Sequence, residues 1–144
     1  MSYSIDANIL LYASNSGDPA HEQAKAFLNA RASDPDLMCL TWPALMAYLR
    51  IATHPSIFKN PLATQTAWKN IQSLTALPRC TIIQENDDFP AIYAKLINQA
   101  GIRGNLVPDS HIAGILQVNG VKRIYTADSD FRKFEFLEVV NPLT

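Results

Sequence analysis

Five short apolar runs, each set off by turn residues and separated by helical patterns, restrict this chain more than any other feature. "YSI" (3–5), "LMCL" (37–40), "CTIIQ" (80–84), "RIYTA" (123–127) and "LEVV" (137–140) are too short for helices and read as strands. Between them lie stretches with helical spacing. "NILLYA" begins one directly after the first strand. "AHEQAKAFLNARA" follows Asp18 as an N-cap with Pro19 at the first helical position. "WPALMAYLRIAT" ends near His54, because Pro55 disfavours helix at the residue before it. "TQTAWKNIQSLTAL" gives a further helix, "DFPAIYAKLINQA" stops at Gly101, and "PDSHIAGILQVNG" runs from Pro108 to Gly120. "SDFRKF" reads as a turn or short helix. Such alternation predicts an α/β domain of three layers, α/β/α, with a central parallel sheet.

At 144 residues the chain suits one domain over 1–144. A hydrophobic share of 48% against 17% charged excludes a disordered or fibrous class. No run is long enough to span a bilayer and no charged leader precedes an apolar one, so the expectation is a cytoplasmic protein without membrane contact. The net charge of −1 excludes a strongly basic nucleic-acid binder but leaves room for a local basic patch. Cys39 and Cys80 stand in apolar runs with no CxxC and no zinc-finger spacing, and are expected as buried free thiols.

Asp6 interrupts the apolar stretch "YSIDANILLYA". A buried, unpaired carboxylate costs several kcal/mol, so Asp6 must be exposed at a strand end, cap a helix, or meet a cation. In open parallel sheets, sites form beyond the carboxyl ends of the strands. Asp6 follows the first strand and Asp128 follows "RIYTA", so both belong to that edge. Asp109 lies in the first turn of the helix before that strand, and topology alone does not decide its edge. Each also fits a structural role, Asp6 and Asp109 as caps and Asp128 in an Asx-turn, while Asp18, Asp87 and Asp88 look like caps only.

Their joint placement favours a site. Crowded carboxylates repel unless a divalent cation neutralises them, and hard oxygen ligands select magnesium or manganese over zinc. The chemistry so implied is phosphoryl transfer. No GxSxG elbow, P-loop or GxGxxG occurs among the five glycines, and His21, His54 and His111 show no ligand spacing. A receiver domain would need an early acidic pair and a late lysine after a strand, which are absent.

"IDANILLYA", "TWPALMAYLRIATHP", "RGNLVPDSHIAGIL" and "YTADSDFRKF" followed by "VVNPL" together resemble the PIN domains, specifically the VapC-type toxins of bacterial toxin–antitoxin pairs, nearly end to end. The resemblance implies a metal-dependent endoribonuclease that hydrolyses RNA, a homodimer held inactive by a VapB-like antitoxin. Asp6, Asp109 and Asp128 fall on the family's metal-binding acids, with Asp130 as a second-rank candidate. Asn8 and Thr126 match its polar supports.

Many members carry a glutamate on the helix after the second strand, where this chain has Ala47. An Ala methyl cannot bind a metal, so metal affinity is expected to fall. The alternative function is a PIN-fold module that binds RNA or a partner with little or no catalysis. Glu85 is a poor substitute, since its strand is expected at the sheet edge. Among the basic residues, Arg50 faces the same side as Ala47 by helical spacing and Arg103 precedes "GNLVPD"; these are the best candidates to bind RNA, ahead of Lys122, Arg123, Arg132 and Lys133.

Overall fold

The five apolar runs form the strands of one parallel sheet in a computed structural model that describes residues 1–144. They are β1 (Ser2–Ile5), β2 (Leu37–Leu40), β3 (Cys80–Ile82), β4 (Arg123–Tyr125) and β5 (Glu138–Val140), in the order β3-β2-β1-β4-β5. Every neighbouring pair is parallel, with Ser2 opposite Leu37 on one side of β1 and Ser4 opposite Ile124 on the other. The chain builds outward from β1 through β2 to β3, then returns to place β4 on the other side of β1. The order therefore reverses at the β1/β4 boundary, which is where an open α/β sheet makes a crevice.

Six helices cover the sheet: α1 (Ala7–Ser14), α2 (His21–Ala30), α3 (Trp42–Ala52), α4 (Thr64–Thr75), α5 (Phe89–Ala100) and α6 (Val107–Val118). The period-2 alternation of the strands divides the core between the two faces. Tyr3, Ile5, Met38 and Leu40 pack with Ile9, Leu10, Leu45, Tyr48 and Ile71 of α1, α3 and α4. Cys39 and Ile124 point the other way, toward Leu96, Ile112, Ala113, Leu116, Phe131 and Phe134. The three-layer α/β/α arrangement expected from the sequence is what forms. Both cysteines are free thiols; Cys39 is buried and Cys80, on the edge strand, only half-buried. No helix is long and apolar enough to cross a membrane.

Local signals work where they concern one turn. Thr41 caps α3, accepting from the Ala44 N–H, and Gly101 ends α5 with a left-handed φ of 63°. Three expected caps differ, among them Asp87, which lies one residue before the α5 cap position. The Asp18 carboxylate accepts from the Ala20 N–H at 2.8 Å and closes a turn, so α2 starts at His21, two residues beyond Pro19. Asp88 precedes α5 but its side chain makes no cap bond, because its backbone is already helical at φ −82°, ψ −11°.

Candidate active site

β1 ends at Ile5, and the next residue takes an extended conformation (φ −79°, ψ 157°) that starts α1. That residue is Asp6, 8% exposed. Its Oδ1 accepts from the Ala7 N–H at 2.8 Å, so it is an N-cap. Its Oδ2 accepts from the Thr126 hydroxyl, also at 2.8 Å. Thr126 follows β4 and is buried; its backbone N–H bonds the Val140 carbonyl, which fixes it against β5. The same hydroxyl oxygen accepts from Asn8 Nδ2 at 3.1 Å and from the Asp128 N–H at 3.0 Å. Asn8 Oδ1 in turn accepts from the Ala127 N–H at 3.3 Å. One threonine therefore ties the ends of β1 and β4 together across the sheet reversal.

Asp128 caps the 3-10 turn Ser129–Lys133, its Oδ1 accepting from the Asp130 N–H at 2.9 Å. This is the Asx-turn geometry, and it lifts Asp130 to the same side. Asp109 lies in the first turn of α6 and caps nothing. Oxygens of Asp109, Asp128 and Asp130 all lie within 4.8 Å of one another. The edge on which Asp109 lies, open in the sequence, is the one that carries Asp128. Asp6 faces the same cleft as Asp109, and its charge is the largest of those acting on the Asp109 carboxyl; both of its oxygens also accept hydrogen bonds.

No arginine or lysine forms an ion pair with any of these four acids. Burial, and then the charges of Asp6, Asp128 and Asp130, push the Asp109 carboxyl up to about 7. Asp6 is raised as well, mainly by burial, against the opposing hydrogen bonds from Thr126 and Ala7. The protein thus assembles negative charge without supplying a counter-charge. An all-carboxylate donor set at this spacing fits a hard divalent cation, bound by Asp109, Asp128 and Asp130.

Beside the acids, between α3 and the α5–α6 pair, runs a cleft of about 470 Å³ lined in part by Asp6, Asp109, Ala47 and His111. Ala47 therefore stands at the site. Glu85, after the edge strand β3, reaches His111 rather than the acids: His111 Nε2 donates to Glu85 Oε2 at 3.0 Å. Arg50 and Arg103 are exposed and neither lines the cleft. Arg123 is committed to Glu138 of the neighbouring strand at 3.2 Å, whereas Lys122, Arg132 and Lys133 are exposed and unpaired. Sequence reasoning missed His111, Phe89 and Tyr93 as cleft residues. The only signals were His111 two positions after Asp109 and an i, i+4 aromatic pair on the preceding helix.

A sheet reversing beside its central strand, with aspartates gathered beyond the strand ends, defines a PIN-type domain, and the PIN domain family matches residues 3–137. The chain belongs to that family, within its VapC branch. It is 34% identical to Ribonuclease VapC48 of Mycobacterium tuberculosis, covering 100% of this chain and 99% of that protein. Ribonuclease VapC37 of the same organism is 32% identical over 91% of this chain and 90% of that one. Among solved structures, VapBC2 from Rickettsia felis, bound to a DNA fragment from its promoter, superposes with a TM-score of 0.69 over 98% of both chains, at 19% identity.

Proposed function

We propose that this chain is a metal-dependent endoribonuclease toxin that hydrolyses RNA phosphodiester bonds and is held inactive by a VapB-like antitoxin. The convergence of Asp109, Asp128 and Asp130 carries this reading, together with relatives named ribonucleases along the full chain. These three aspartates, together with Asp6, would hold magnesium or manganese. Bound there, the ion supplies Lewis acidity toward a phosphate oxygen and a more acidic water. The chain's own residues do the rest. Thr126 and Asn8 fix the loop that carries Asp128 and Asp130, and Asp6 adds negative charge that attracts the cation. Arg50 and Arg103 bind the RNA backbone, offsetting the repulsion between the acids and phosphate.

A catalytically silent module, the reading that Ala47 raised, is not favoured: the four aspartates are all present, and both curated relatives are named for the activity. The toxin is a cytoplasmic homodimer in this reading, inactive while its antitoxin blocks the acidic cleft. Purified protein is expected to cut total RNA in millimolar magnesium or manganese and to stop in EDTA. Equal cleavage in EDTA would rule out the metal-dependent reading. Co-expression with a VapB-like antitoxin, expected from an adjacent small open reading frame, should give one stable complex on a sizing column, with cleavage suppressed.

A further inference from the structure

The cleft holds more than the acids need. Its other lining is apolar or aromatic, with Phe89 and Tyr93 from α5, Pro43 and Ala47 from α3, and His111 from α6. Its volume of about 470 Å³ lies within the range of sites for small organic ligands, about 300–1,000 Å³. No arginine or lysine lines it, so it does not suit a second phosphate. What suits it is a flat, uncharged group with polar edges, attached to a phosphate held at the neighbouring acids. In a single-stranded RNA that group is a nucleobase, which proteins bind by stacking on aromatic rings and bonding its edges.

Three features show that this wall is built rather than incidental. The Phe89 and Tyr93 rings lie nearly parallel, 14° apart with centroids at 5.2 Å. They sit against Gly114 of α6, where an added Cβ would come within 2.8 Å of Phe89 Cε2 and 3.1 Å of Tyr93 Cδ1. A glycine inside a helix is less stabilising than alanine, and here it is what lets the two rings pack onto the helix that carries Asp109. The Tyr93 hydroxyl and Ser110 Oγ share a hydrogen bond of 2.7 Å, and Ser110 Oγ donates to the Val107 carbonyl. The wall is thereby fixed one residue from Asp109. Glu85 accepts the His111 Nε2 proton, which orients the ring and leaves Nδ1 without a partner in the protein.

The geometry points to a nucleobase subsite in this cleft, in which Phe89 and Tyr93 form the apolar wall, Ala47 leaves the room, and His111 Nδ1 bonds the edge of a base flanking the scissile phosphate. This rests on the ribonuclease reading above. Ala47 and His111 are then specificity-determining residues, and the small side chain at 47 creates the depth that a glutamate would fill.

The test uses short single-stranded RNAs spanning one mapped cleavage point, with either an intact nucleotide or an abasic ribose at each position flanking the cut. Cleavage by the magnesium-loaded protein is measured, as is binding by fluorescence anisotropy with the Asp128→Asn variant. At one flanking position the intact RNA should be preferred at least about tenfold in KM and in Kd, the scale expected for one base stacked on aromatic side chains. Ala47→Leu, which fills the cleft, should reduce that preference to within about twofold. His111→Ala should do the same; its side chain is 39% exposed, so its loss removes little packing. A preference near one in the parent, or one that survives in both variants, overturns the subsite. A chain that cuts no RNA overturns the nuclease reading; the subsite is then kept if an arbitrary single-stranded RNA is bound in preference to its abasic counterparts and that preference falls in both variants. One that neither cuts nor binds overturns both.

Discussion

Two groups of charge in this molecule are treated in opposite ways. Near the start of β2, Asp34 meets Arg31 at 2.6 Å, both side chains 16% exposed. Arg31 also donates to the Phe27 carbonyl, and its guanidinium lies 4.3 Å from the Phe27 ring centroid, with Tyr3 and Tyr125 close by. The chain brings its own cation, and the buried Asp34 carboxylate is paired within the fold. Beyond β1 and β4, four aspartates gather and no cation from the chain joins them. A fold shaped for stability alone would resolve the second group as it resolved the first. Charge left uncompensated over a cleft marks the place where an outside cation belongs.

The largest expected effect is on activity, and it breaks the comparison from the acidic side. Asp128→Asn keeps an oxygen to accept from the Asp130 N–H, so the turn survives, yet one anionic ligand is lost. RNA cleavage should fall at least about 100-fold, since even residues that only support a metal ligand are worth 10–100-fold. The metal-free variant should melt no lower than the metal-free parent, because one repelling charge is gone. Magnesium at 100 times its dissociation constant should stabilise the parent by about 2.7 kcal/mol. Asp128→Asn should cancel most of that gain in calorimetry, and so should Asp6→Asn, since Asp6 shares the cleft with Asp109. A parent whose melting ignores millimolar magnesium and manganese would remove the basis for the contrast.

The opposite result should follow on the other side. Arg31→Met preserves bulk but leaves the Asp34 carboxylate mostly buried and unpaired, at a cost of about 2 to 3 kcal/mol, below that of a fully buried broken pair. Denaturant unfolding should read that loss directly, while cleavage per folded molecule stays within about twofold. A large change in activity without a loss of stability would make Arg31 part of the site.

Acid titration should separate the acidic group more finely. Asp109 holds its proton up to about pH 7 in the folded state, whereas an ordinary aspartate releases it near 3.8. Between those values the folded protein binds more protons than the unfolded chain, so stability falls as pH rises. The metal-free melting temperature should therefore decline from about pH 4 to 7 and level off above. Asp6 is raised too and acts in the same direction. Saturating magnesium should flatten the upper part of the slope, and Asp109→Asn should remove most of it.

Thr126→Val removes a hydroxyl that donates to Asp6 and accepts from Asn8 and the Asp128 N–H, and should cost about 1 to 3 kcal/mol. Its signature is chemical: the Thr126 bond lowers the Asp6 carboxyl, so its removal should move that group further upward in an NMR titration. An unshifted Asp6 would mean that Thr126 only braces the backbone.

The five strands could be read because each is a short apolar run between turn residues, and such runs have few other ways to bury themselves. Asp6 and Asp128 were legible as a pair for a similar reason: a residue directly after a parallel strand has its sheet edge fixed by chain direction. Two of the aspartate readings that failed locally are those at Asp18 and Asp88. One side chain closes a turn and the other has a helical backbone, and a residue type cannot reveal its own φ and ψ.

Sequence therefore determined the elements, the alternation that covers both faces of a sheet, and an acid at the end of each of two strands, all of which depend on neighbours in the chain. Tertiary structure decided the rest. The strand order set β1 beside β4, the packing of α6 brought Asp109 to Asp128 across 19 positions of sequence, and the turn after Asp128 brought Asp130 close to both. The same packing set Phe89, Tyr93 and His111 around a cleft. Contacts between residues far apart in the chain depend on which faces bury together, and that choice is made by the whole core rather than by any one segment.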